Sequence, residues 1–122
     1  MRISNLACIL VIASLFLHCD ANARSANCVI AGDIIAQKDF EGDATFQGEI
    51  RNNGNARALF VEITFAIKNS DGSIADSEFT FVNSTNLDPG QASPFKCYTD
   101  IPYSQISSWD YEITWNEENS KR

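Results

Sequence analysis

The 122 residues carry 9 Lys and Arg against 16 Asp and Glu, a formal charge of −7, with 44% hydrophobic residues, 4 Cys, 1 His and 1 Met. This acidic balance excludes nucleic acid and an anionic membrane surface as partners, since both are held by clustered Lys and Arg, and the basic residues here are scattered singly. His18 and Met1 both fall within the first 23 residues, so residues 24–122 have no imidazole for base catalysis, no Ser-His or Cys-His dyad, and no His or Met metal ligand.

The chain opens MRISNLACILVIASLFLHCDANA. Arg2 gives a short positive start, Leu6 to Leu17 is an apolar run broken only by Ser14, and Ala21 and Ala23 place small residues where a signal peptidase cuts. This is the pattern of a secretory signal peptide over residues 1–23, cleaved after Ala23. The apolar run is too short for the roughly 20 residues of a membrane span, so no integral span is expected. Lipid attachment at Cys19 is not expected either, because the lipobox wants a small residue where His18 stands. Residues 24–122 then form one ordinary domain.

Taken in order, the remaining segments alternate with period two. CVIAGDII, from Cys28, is strand-like, and an acidic loop (Asp33, Asp39, Glu41, Asp43) comes next. ATFQGEIR puts Phe46, Gly48 and Ile50 on one face. NNGN (52–55) punctuates, and in RALFVEITFAIKN the residues Leu59, Val61, Ile63, Phe65 and Ile67 form a buried face opposite Phe60, Glu62, Thr64, Ala66 and Lys68. NSDG (69–72) is a hairpin signal. SEFTFVN places Phe79 and Phe81 together, LDPG (87–90) turns the chain, and PFKCYTDI aligns Phe95, Cys97 and Thr99. SQISS (104–108) suits one short turn, WDYEITW is a half-buried strand, and the polar tail NEENSKR is expected to fray. Six or seven short antiparallel strands in this length predict an all-β, immunoglobulin-like antiparallel β-sandwich of about 7 strands, with an open small barrel as the alternative. The expected core holds Phe46, Ile63, Phe65, Phe81, Phe95, Tyr111 and Ile113.

Cys28 and Cys97 remain after removal of the leader, an even pair in an exported chain, and are expected to form a disulfide. Such a bridge would close a loop of about 70 residues and add roughly 4 kcal/mol in the chain-entropy model. A reactive Cys97 would need a nearby cation or helix N-terminus, and Lys96 on a strand points to the opposite face. Gly54 and Gly72 suit positive φ at chain reversals. Asp71 stands in the Asp-Gly turn, and Pro89-Gly90 fits the centre of a type II turn.

These residues also carry a family likeness. Gly48-Glu49-Ile50-Arg51-Asn52-Asn53-Gly54, a long alternating strand ending at Asp71-Gly72, and Leu87-Asp88-Pro89-Gly90-Gln91-Ala92-Ser93-Pro94-Phe95 occur in that order. Over roughly residues 44–115 this resembles the FxLYD family of exported bacterial and archaeal β-sandwich domains. The namesake stretch falls at Phe65-Ala66-Ile67-Lys68-Asn69, where Ile67 replaces Leu and Lys68-Asn69 stand for Tyr-Asp. The resemblance implies an immunoglobulin-like fold and export, and nothing catalytic.

Few residues suggest chemistry. Asp39, Glu41 and Asp43 loosely echo a calcium loop, but no Gly stands at its sixth position and no Glu at its twelfth, so no metal or cofactor is expected. Paired carboxylates could serve a glycosidase only in a concave site, which turn-length loops rarely build. Asn83-Ser84-Thr85 fits a glycosylation acceptor. Phe60, Tyr98, Tyr103 and Trp109 are candidates for an exposed aromatic binding patch, or else cover a sheet edge. The expected function is a small exported non-catalytic binding module for another extracytoplasmic protein or a glycan. A structural or accessory envelope protein, or an inhibitor of an extracellular enzyme, is the alternative.

Overall fold

The computed structural model describes residues 23–118. Residues 1–22 of the proposed leader, with Cys19, and the last four residues of the tail lie outside the described residues. Seven strands run in chain order: β1 (Cys28–Ile30), β2 (Ile35–Lys38), β3 (Asp43–Asn52), β4 (Ala58–Lys68), β5 (Ile74–Phe81), β6 (Ala92–Pro102) and β7 (Ser108–Glu117). A single 3-10 turn, Tyr103–Gln105, precedes β7, one residue earlier than the sequence suggested.

In the first sheet β3 is central. β2 pairs with its first half (Ala36↔Phe46) and β1 with its second (Ile30↔Ile50), both on one side, while β6 runs along the other (Phe46↔Cys97, Ile50↔Ser93). In the second sheet β4 lies between β5 and β7, antiparallel to both. The chain crosses between sheets after β3, β5 and β6, which makes a Greek key. In immunoglobulin lettering the first sheet is a split A, B and E, and the second is C′, C and F. The sandwich is therefore immunoglobulin-like. Among the described residues, no strand occupies the place beside β7 where the last strand of such a domain runs.

Alternation along β3, β4 and β6 sends Phe46, Ile50, Ile63, Phe65, Ile67, Phe95 and Cys97 between the sheets, all nearly fully buried. Phe46 stacks on Phe65 with centroids 4.4 Å apart, and Trp109 meets both rings edge-on at 5.0 and 5.8 Å. Two predicted core residues are not there: Phe81 is 41% and Tyr111 46% exposed. On β5 the register sets Thr80, Glu78 and Asp76 opposite the inward Ile63, Phe65 and Ile67, so Phe79 and Phe81 face out. Tyr111 has inward parity (Phe65↔Tyr111) but lies on an edge strand. The expected alternation of β4 also breaks near its start. An irregularity between Leu59 and Glu62 lets Ala58 and Val61 both turn inward, while Phe60 takes φ 54 with its N–H donated to Asn86 Oδ1.

Asn52 locks one end of the sandwich. Its buried side-chain amide donates to the carbonyls of Ala56 and Leu87, and its Oδ1 accepts the N–H groups of Asn27 and Gly54. One side chain thereby joins the N-terminal segment, the β3–β4 loop and the segment before β6.

Candidate functional site

The cysteine bridge is overturned by register. Cys28 pairs with Asn52 and Cys97 with Phe46, on opposite sides of β3. Those partners are six residues apart, about 20 Å at roughly 3.3 Å per residue. A disulfide needs Cα atoms within about 7 Å. Both thiols are free and buried, and burial pushes the pKa of each up to about 11, with Glu78 adding to the rise at Cys97. A buried thiol held in its protonated form near neutral pH is a poor nucleophile.

The aromatics singled out from the sequence do not converge. Trp109 is packed against Phe46 and Phe65, inside. Tyr98 is exposed on the outer face of the first sheet beneath the Lys96 ammonium, 5.3 Å from its ring centroid. Tyr103 opens the 3-10 turn before β7. Phe60 is exposed at the break in β4, and the second sheet also carries an exposed aromatic pair whose direction alternation alone did not reveal. Phe79 and Phe81, 58% and 41% exposed, meet edge to face at 6.2 Å on the outer side of the second sheet, opposite Thr64 and Glu62. Phe60, 55% exposed, stands two residues from Glu62. The signal was present in DSEFTF: aromatics on one face, acids on the other, with the direction set by the strand's place at the sheet edge.

The acidic loop is held by its own backbone. Asp39 Oδ1 accepts the N–H groups of Glu41 and Asp43, closing the β2–β3 hairpin. Asp39, Glu41 and Asp43 bring their carboxylates within 4.8 Å of one another, and the hydrogen bonds account for Asp39 without an ion. Asp71 acts similarly. Its carboxylate accepts from the Ser73 hydroxyl and N–H, which hold its pKa below the ordinary value. Gly72 and Gly90 have the positive φ expected of them, 90 and 85, and the Asp88–Gln91 turn around Pro89-Gly90 closes with a 2.9 Å bond. Gly54 does not have positive φ. A Cβ there would lie 2.2 Å from Ser25 O and 2.7 Å from Asn27 N, so glycine is required by the close passage of the N-terminal segment.

A second set of carboxylates sits at the side of the sandwich where β5 approaches β6. Glu78 points inward beside Cys97. Its pKa is raised, first by desolvation and then by Asp76 and Asp100. The pockets described are open grooves, such as the one of about 730 Å³ between β7 and the β1–β2 break, bordered by Ile30, Asp33, Ile34, Trp109 and Tyr111.

No family model, curated protein or solved structure matches this chain.

Proposed function

We propose that this chain is a small, exported, non-catalytic binding module of FxLYD type that holds another extracytoplasmic protein through the outer face of its second sheet. The observation that carries the reading is the Phe79–Phe81 pair, with Phe60 also exposed on β4, on a sheet otherwise covered by Thr64, Ala66, Glu62 and Lys68. Rigid aromatics on a flat, polar-rimmed face give large contact area at low entropy cost. Export rests on the signal-like leader. The family assignment rests on residues whose physical roles suit it: Asn52 and Gly54 at the loop crossing, Gly72 and Gly90 in turns, Phe65 and Ile67 in the core.

A photo-crosslinking residue at position 79 or 60, in the source cell, tests this. A discrete adduct is expected from these positions and none from Gln37 on the opposite sheet. Phe81→Ser should remove the adduct while leaving the fold intact. Equal labelling from Gln37, or no adduct from the aromatic face, would leave the structural or accessory role as the better account.

A further inference from the structure

The four sheet edges are not equivalent. β1 and β2 are three and four residues long and are interrupted around Gly32, where φ is 91. β6 carries Pro94 and Pro102. β5 turns Asp76 and Glu78 inward. Short strands, prolines and inward charges are the devices that stop an edge from pairing with another chain. β7 has none of them over most of its length. It runs ten residues without Pro or Gly and sends Trp109, Tyr111, Ile113 and Trp115 inward. Its one inward charge, Glu117, is engaged at the end of the strand by the N–H of Ala26.

Among the described residues, the hydrogen-bonding groups of this edge are free in a defined pattern. Glu118 N–H donates to Arg57 O, and Val61 exchanges its backbone bonds toward β5 and the segment after it. By strand alternation the even-numbered residues of β7 therefore bond β4, and the N–H and C=O of residues 109, 111, 113 and 115 point to the open side. The same residues whose side chains face the core thus present the unpaired backbone. Beside them runs the groove between β7 and the β1–β2 break, lined by Ile30, Asp33, Ile34, Trp109 and Tyr111 among others.

We propose that the open edge of β7 takes up an extended segment of a partner protein as an added antiparallel strand, with apolar residues entering the groove and Lys or Arg at the alternate positions. The charge pattern selects this occupant. Asp33 borders the groove and Glu112 lies on the outer face of β7, beside Asp110, which is paired with Lys68 of β4, in a chain of net charge −7. A second copy of the chain would bring an equally acidic edge, with its own Asp33 and Glu112, toward this one, and like charges across a strand pair are unfavourable. Backbone bonds supply affinity in such an addition, and alternate side chains supply selectivity. The proposal rests on reading the domain as a binding module, but it uses a different surface from the aromatic face.

The test is amide hydrogen exchange by NMR on the mature protein, with a nine-residue peptide alternating isoleucine and lysine as the probe and an isoleucine–glutamate peptide as its counterpart. In the free protein the amides of 109, 111, 113 and 115 should exchange fast and their even-numbered neighbours slowly. The lysine peptide should protect the odd-numbered amides, and the glutamate peptide should not. Tyr111→Pro removes one outward donor at a position an edge strand tolerates and should weaken binding by about 10-fold. Tyr111→Val keeps the donor and should bind close to the parent. Protection of the odd-numbered amides without any peptide, rising with protein concentration, would make a second copy the occupant and overturn the proposal. Binding that leaves those amides unprotected, equal binding of both peptides, or no binding would also overturn it. Crosslinks from Phe79 that persist in any of these cases would leave the binding-module reading standing.

Discussion

Asn52 is the residue whose replacement should cost most for its size. All its side-chain polar atoms are engaged and it is fully buried. Asn52→Ala would leave the N–H groups of Asn27 and Gly54 and the carbonyl of Ala56 without their partner, while the Leu87 carbonyl keeps the N–H of Ala58. Leaving buried groups unpaired costs far more than a net hydrogen bond is worth, so a loss of roughly 2–4 kcal/mol is expected, read as a lower urea midpoint at unchanged slope. A loss below about 0.5 kcal/mol would mean that water replaces the amide freely. The sequence showed Asn52 and Gly54 only as turn residues. Their actual work depends on residues 25–27 passing over the β3–β4 loop, a long-range contact that no local pattern announces.

At the scale of elements, β4 and β5 mark the limit of what alternation can tell. In β4 the apolar set is unambiguous from Val61 to Ile67, so the buried face was legible, while the break at Leu59–Glu62 was not, because one extra residue leaves no trace in the sequence. In β5 both faces alternate equally well. The aromatics look like core, yet it is Asp76 and Glu78 that turn inward, at an edge where the side of the sandwich is open. Glu78 records the consequence. Desolvation, then Asp76 and Asp100, raise its pKa above the ordinary 4.5, against Cys97 across the gap. The folded state thus binds the proton more tightly than the unfolded one, so this group's contribution is complete below about pH 4.5 and is lost as pH rises through the raised value. Glu78→Gln should therefore gain stability over the parent at pH 7, and the gain should shrink toward zero near pH 4. Urea midpoints of both proteins across that range measure it. A difference independent of pH would show that Glu78 is well solvated. Asp71, lowered below 3.8, acts in the opposite direction and only at more acid pH.

For the whole molecule, the sandwich followed from strand count and turn spacing, because turns at Asp71-Gly72 and Pro89-Gly90 are local events with local signatures. The partner of Cys97 was not legible, because it is decided by which strands flank β3 and in what register. Two cysteines behind a signal-like leader invite a bridge on chemical grounds alone. Here β1 and β6 lie on opposite sides of β3 and meet it six residues apart, so closing the bridge would require dismantling the first sheet. The stability of this domain must then come from its core and from the Asn52 network, with no covalent tie between its ends. Its thermal midpoint should be the same with and without reductant, to within about 1 °C. A bridge worth roughly 4 kcal/mol would instead make reduction lower the midpoint by about 15–30 °C in a domain of this size. Alkylation gives the companion reading: with thiols buried and their pKa pushed up to about 11, the native protein should resist the reagent at neutral pH, and unfolding alone, without reductant, should expose two alkylatable thiols in the mature chain. A requirement for reductant before alkylation of the unfolded chain would mean that the cysteines are oxidised, and the geometry this fold leaves for that bond is between two molecules.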